Sequence, residues 1–313
     1  MSTAVGIILM TFGSAQSADE VEPYLRSVRG GGDPDPQLVE EFRRRYELVG
    51  WSPLVEITRA QSVALQNLLY AEDGPGHAVE VGMLHSHPTI DEALSRLHGK
   101  GVEVVVGIIL SPQYSPIIMG RYGRALSAAA QRIMPETEIR IAGPWHRTTE
   151  FIQVVADNVH AALARTSRPD LVPVILTAHS LPEAVVKRDP GYIDQIMETV
   201  GLIADRAGLP RDRWQFAYQS AGHTPEEWLK PDLKDLLPGI RAEGHEEVLV
   251  VPVQFLADHL EILYDIDIAA REEAEEAGLR FHRIELPNTS PTFIRALAEV
   301  ARREERARQA AAS

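Results

Sequence analysis

Val172-Pro-Val-Ile-Leu-Thr-Ala178 is an apolar run too short for a helix, and His179-Ser180-Leu181-Pro182 follows it at once. A run of this length, rich in branched residues and closed by a turn-forming Pro, predicts a buried strand with His179 at its carboxyl end. Further on, Glu246-Glu-Val-Leu-Val-Val-Pro-Val-Gln-Phe-Leu256 repeats the pattern and leads into Asp258-His259-Leu260-Glu261. Two strands therefore deliver an imidazole and a carboxylate to one edge of a sheet. In open α/β sheets that edge is where ligands bind.

Working outward, eight such runs recur, in two sets of four. The first set is Val5 to Thr11, Ala78 to Leu84, Val102 to Leu110 and Glu138 to Ala142; the second is Val172 to Ala178, Trp214 to Gln219, Val248 to Phe255 and Arg280 to Leu286. Segments of helical periodicity separate most of them, among them Thr58 to Ala71, Thr149 to Arg165, Glu226 to Leu236 and His259 to Ala277. Alternating strands and helices imply parallel sheets covered on both faces. The expected fold is α/β: two Rossmann-like lobes, each a four-stranded parallel sheet flanked by helices, over residues 1–144 and 145–313, with the active site in the cleft between them. The boundary falls at Gly143-Pro144-Trp145.

Composition narrows the chemistry. The 313 residues carry a formal net charge of -14, which opposes a nucleic-acid partner because phosphate binding needs a concentrated basic surface. There are no cysteines, which excludes disulfides, thiolate metal sites, a cysteine nucleophile and a cysteine-ligated iron–sulfur cluster. Any metal must be held by nitrogen and oxygen. Met1 to Ala4 carry no basic leader, and Val5 to Met10 is too short for a signal peptide or a membrane span, so a cytoplasmic protein with no integral membrane association is expected. No coiled-coil seam or apolar surface stripe calls for a partner, and a monomer is the expectation.

Neutral imidazole accepts a proton or binds a divalent ion, and its titration range lies near neutrality. A lone histidine at a strand end more often bonds a neighbouring loop, but the Ser180 to Pro182 turn aims this one into the crevice. Asp258, Glu261 and Asp265 have i, i+3, i+7 spacing and would line one face of a helix. A carboxylate row ending at an imidazole suits Fe²⁺, Co²⁺ or Zn²⁺ better than Ca²⁺. In the first half, Met10, Phe12, Tyr46, Trp51, Tyr114 and Tyr122 offer flat apolar walls for a planar ligand. Arg29, Arg45 and Arg121 or Arg124 offer donors for carboxylates at its rim. His85-Ser-His87 reads as a loop feature, with His85 an auxiliary ligand at most, and Gly30-Gly-Gly32 as a turn.

These residues together resemble the ferrochelatases along nearly the whole chain: Met10-Thr-Phe-Gly13, Arg45-Tyr46 with Ser52-Pro-Leu54, Ser111-Pro-Gln-Tyr-Ser115, Ala178-His-Ser-Leu-Pro182, Tyr218-Gln-Ser220 and Asp258-His-Leu-Glu261. The resemblance implies a lyase that inserts Fe²⁺, as substrate, into a porphyrin during haem biosynthesis, with no permanent cofactor. It implies His179 and Glu261 as the catalytic pair and metal ligands, with Asp265 on the metal path. His179 is expected on one face of a bent macrocycle and Glu261 on the other. Tyr218 to Asp232 resembles the branch that metallates coproporphyrin III, in which Phe12, Arg29, Arg45, Tyr46, Ser52 and Tyr122 match porphyrin-binding positions. That branch often has an iron-ligating tyrosine where this chain has Phe12. Protoporphyrin IX ferrochelation, a cobalt or nickel chelatase and a haem or metal carrier are the alternatives.

Overall fold

The computed structural model describes residues 5–222 and 225–312. Met1 to Ala4, His223 and Thr224 within the Tyr218 to Asp232 stretch, and Ser313 lie outside the described residues.

All eight strands form: β1 (Val5–Thr11), β2 (His77–Met83), β3 (Val104–Ile109) and β4 (Glu138–Ile141), then β5 (Val174–His179), β6 (Trp214–Gln219), β7 (Glu247–Pro252) and β8 (Arg280–Arg283). They make two four-stranded parallel sheets of the same topology, β2-β1-β3-β4 and β6-β5-β7-β8. In each sheet the order reverses between the first strand and the third, and a crevice opens beyond their carboxyl ends.

The helices are α1 (Ala18–Val28), α2 (Pro36–Leu48), α3 (Leu54–Asp73), α4 (Ile90–Gly99), α5 (Gly120–Ile133), α6 (Thr149–Leu163), the short α7 (Glu183–Val186), α8 (Gly191–Arg206), α9 (Leu233–Ala242), α10 (Arg271–Glu276) and α11 (Pro291–Ala312). Strand alternation sorts side chains between cores. Ile7 and Leu9 of β1 join Val174 and Leu176 of β5 and Leu249 and Val251 of β7 in one core that runs through both halves. Ile8 and Met10 face α4 and α5 instead, and Ile175, Val248 and Val250 face α9 and the segment before α10.

Helix α11 crosses back to the first half. Arg302 pairs with Glu72 and Asp73, Glu305 with His77, and Arg303 donates to the carbonyls of Gly143 and Pro144. The chain thus divides near residue 144 by sheet, while the packing is continuous across that point.

Two helices differ from their sequence patterns. The helix expected over Glu226 to Leu236 begins only at Leu233, because Lys230 precedes Pro231 and is turned away from helical geometry. Asp232 then caps the new start, accepting from Lys234 N–H at 3.2 Å. The helix expected over His259 to Ala277 is π-helical from Ile262 to Ala270 before it continues as α10. Wider turns of this kind cluster at functional sites.

Candidate active site

The loops leaving β1, β3, β5 and β7, the four strands at the two reversal points, converge on one cavity of about 600 Å³. β1 contributes Phe12, Gly13 and Ser14, β3 Leu110 and Ser111, β5 His179, and β7 Gln254 and Phe255. Gly13 is required there: its φ is +92°, and a Cβ would stand 2.5 Å from the Ser86 hydroxyl, which accepts the Ser14 N–H. Helix α2 reaches over from the first half, laying the Arg45 guanidinium 4.7 Å above the Tyr264 ring of the π-helix. Glu41, one turn earlier, holds Arg45 at 2.8 Å, and the Arg44 and Arg45 guanidinium groups pull its carboxyl down to about 2.

His179 is the last residue of β5. Its Nδ1 faces the Ser180 carbonyl oxygen, which can only accept, so the neutral ring carries its proton on Nδ1 and leaves the Nε2 lone pair open. Nε2 stands 3.6 Å from Glu261 Oε1, an atom that is buried and has no hydrogen-bond partner among the described residues. A flat ring cannot pass between them, since two van der Waals contacts alone need roughly 7 Å. The expectation that they confront opposite faces of a macrocycle is therefore corrected: the two side chains stand together on one side of the cavity. Two donors at about 2.1 Å from one ion lie roughly 3.0–3.4 Å apart at octahedral to tetrahedral angles, so a small side-chain shift from 3.6 Å would let the pair share a cation.

The acidic row is shorter than its spacing implied. Asp265 lies on the cavity wall with Glu261, but Asp258 precedes the helix and turns away. Its carboxylate pairs with Arg283 at 3.2 Å and accepts from Asn288 at 2.8 Å. Burial pushes the Asp265 carboxyl up, helped by the Glu261 charge, while Ser220, Arg45 and His179 draw it back.

Among the expected porphyrin-binding residues, Phe12, Arg45, Tyr46 and Tyr122 line the cavity, as does Arg121. Phe12 is 37% exposed, its ring edge-on to His85 at 4.5 Å. Tyr46 is buried, bonded to Ser14 at 2.9 Å and stacked on Trp51. Burial holds Tyr122 well above the usual phenol range, so its hydroxyl stays protonated. Arg29 and Ser52 are not among the wall residues. Arg29 is exposed just past α1, and the buried Ser52 hydroxyl accepts from Leu54 N–H at the start of α3.

His85 bonds Ser27 and His87 bonds Glu92, so the two rings do not make a metal pair. Burial and the Arg121 charge hold His85 down at about 4, which keeps it neutral. Wall residues that the sequence reading did not single out include Tyr24, Tyr192, Gln254 and His259. His259 sits inside the Asp-His-Leu-Glu motif, which was a signal for it; the others are placed by tertiary contacts alone. Among the described residues, no helix is long and apolar enough to cross a membrane.

Two parallel-sheet halves closing on one cavity, with an imidazole at a strand end and a carboxylate at the start of the helix after another strand, have the fold of solved chelatase structures. The structure of SirB from Bacillus subtilis with Fe³⁺ shares this fold at a TM-score of 0.59 over 96% of this chain and 94% of its own, at 10% identity. CbiX, described as the terminal enzyme of sirohaem biosynthesis in denitrifying bacteria, matches at 0.52 over 96% and 98%, at 14% identity.

The chain belongs to the ferrochelatase family, whose profile matches residues 4–305. It is 38% identical to the ferrochelatase of Herpetosiphon aurantiacus, over 96% of this chain and 99% of that protein. It is 37% identical to the coproporphyrin III ferrochelatase of Geobacillus kaustophilus, over 94% of each. The protein is thus an enzyme, a metal chelatase of the lyase class.

Proposed function

We propose that the enzyme inserts Fe²⁺ into coproporphyrin III, giving Fe-coproporphyrin III, with His179 and Glu261 acting together from one side of the ring. The observation that carries this reading is the 3.6 Å approach of His179 Nε2 to Glu261 Oε1 on the wall of the cavity. A cavity of about 600 Å³ is of the size that holds small planar ligands.

A flat free-base porphyrin keeps its N–H groups in plane and its lone pairs unavailable to an incoming ion. Walls that hold the ring bent use binding energy to expose those lone pairs. The open Nε2 of His179 and the unpartnered Oε1 of Glu261 hold the ion and take up the leaving protons, and Asp265 lies one step further along the ion's path. Two protein ligands leave the remaining positions on the ion for water and then for pyrrole nitrogens. Coproporphyrin III is favoured by the likeness of Tyr218 to Asp232 to that branch and by relatives that carry its name. Arg45 and Arg121 are the wall cations available to its propionates.

The test is an anaerobic insertion assay with coproporphyrin III and protoporphyrin IX side by side, using His179→Ala as control. Preference for coproporphyrin III, and loss of turnover but not of porphyrin binding in the variant, is the expected result. Preference for protoporphyrin IX overturns the substrate, and normal turnover by His179→Ala overturns the site.

A further inference from the structure

Strand β5 outruns its neighbour. Its register with β7 ends at Thr177 opposite Pro252, and Val253 N–H still donates to Thr177 O at 2.9 Å. The next donor of β5 on that side is the N–H of His179, and β7 no longer supplies a backbone carbonyl to accept it. The side chain of Gln254 takes that place: its Oε1 accepts from His179 N–H at 2.7 Å. The other end of the same amide donates from Nε2 to the Tyr192 hydroxyl at 2.6 Å. Tyr192 is buried in the first turn of α8, inside the core common to both sheets.

One side chain thus ties the residue that ends β5 to the exit of β7 and to the start of α8. On the opposite edge β6 accompanies β5 to its end, with His179 paired to Gln219 and Ser180 N–H donating to Gln219 O at 2.7 Å. On the β7 side, among the described residues, Gln254 is what hydrogen-bonds the backbone of the strand end. The imidazole itself is fixed through Ser180 O, so any movement of the His179–Ser180 backbone carries the ring with it.

We propose that Gln254 is a positioning residue for His179, which it holds by replacing the missing carbonyl of β7 and anchoring the strand end to Tyr192. The proposal rests on the catalytic reading of His179. A displacement of about 1 Å at a reacting group can cost on the order of 10²-fold in rate, so a partial release is expected to show in kcat.

The experiment compares Gln254→Leu, Gln254→Glu and Tyr192→Phe with the unaltered enzyme in anaerobic Fe²⁺ insertion. Gln254→Leu removes both bonds at similar volume, and kcat is expected to fall about 10-fold with porphyrin KM kept within about two-fold. Gln254→Glu still accepts from His179 N–H, and the Tyr192 hydroxyl can turn to donate to it, so this variant recovers most of the rate. Tyr192→Phe leaves the His179 bond in place and is expected to lose about two- to three-fold in kcat. Unaltered kcat in Gln254→Leu, a matching loss in Gln254→Glu, or a rise in porphyrin KM as large as the fall in kcat overturns the proposal. The His179→Ala control separates the two readings. If it turns over normally, the role of His179 falls; if it is inactive while Gln254→Leu is unaffected, only the role of Gln254 falls.

Discussion

His179 Nε2 and Glu261 Oε1 approach to 3.6 Å although the two residues come from different strand-to-helix junctions, and neither atom makes a hydrogen bond among the described residues. The arrangement is incomplete by itself: an open lone pair faces an unpartnered buried carboxylate oxygen, and a cation or a proton is what both require.

If the two groups share one ion, as proposed, their contributions should not add. His179→Ala and Glu261→Gln are each expected to lower kcat by about 10²–10⁴-fold, and the double variant should lose no more than the worse single one. Single-turnover Fe²⁺ insertion on pre-bound porphyrin measures this. A double variant whose loss equals the product of the two would mean the groups work independently.

What the sequence made legible is what local pattern carries. All eight runs became strands, the inner ones buried along their length and the edge strands only partly, and His179 and Glu261 stood out because they lie at and just beyond the ends of two inner strands. Asp258 could not be placed, because its fate depends on Arg283 and Asn288, which reach it only after folding. Spacing of i, i+3, i+7 presumes 3.6 residues per turn, and the π-helix from Ile262 breaks that premise. Gln254 gave no signal either, since a glutamine after a strand is unremarkable until the neighbouring strand is seen to outrun it.

Phe12, whose phenyl ring has no atom to offer a metal, tests whether position 12 faces the iron. Phe12 lines the cavity and touches His85 edge-on. Phe12→Tyr is expected to add an oxygen ligand and shift the Soret band of the Fe-coproporphyrin III complex. An unchanged spectrum would show that position 12 does not face the iron.

Asp265 shares the cavity wall with Glu261 but comes four residues later. Asp265→Asn keeps the shape and removes the charge. If the residue feeds the ion inward, KM for Fe²⁺ should rise about 10-fold while porphyrin KM and saturated kcat hold, as for ligand-supporting groups at metal sites. A fall in saturated kcat with unaltered iron KM would place Asp265 in the chemical step instead.

Trp145 tests whether the halves fold together. It is 2% exposed, donates to Ile109 O at 3.1 Å, and packs edge-on to Phe151 of α6 and beside Phe293 of α11. Trp145→Ala should cost about 3–5 kcal/mol. With one core running through both sheets, denaturant unfolding is expected to remain a single transition that moves as a whole to lower denaturant. Two separated transitions would show that the sheets unfold independently.

Glu247 contributes to the acid sensitivity of the second half. It lies at the start of β7 with only 5% of its side chain exposed, and it accepts from Ser167 N–H, the Ser167 hydroxyl, Arg280 and His282. Burial pushes its carboxyl up, but the Ser167 and His282 hydrogen bonds outweigh that and bring it from the ordinary 4.5 down to about 2. A carboxyl held lower in the folded state than in the unfolded one adds stability above the unfolded value and loses it as pH falls through the folded one. Stability should therefore decline as pH drops from about 4.5 toward 2, with Glu247 a contributor. Glu247→Gln should cost about 1–3 kcal/mol at neutral pH and flatten that decline. Urea midpoints measured across this range check it: parallel curves for the two proteins would remove Glu247 from the acid limb.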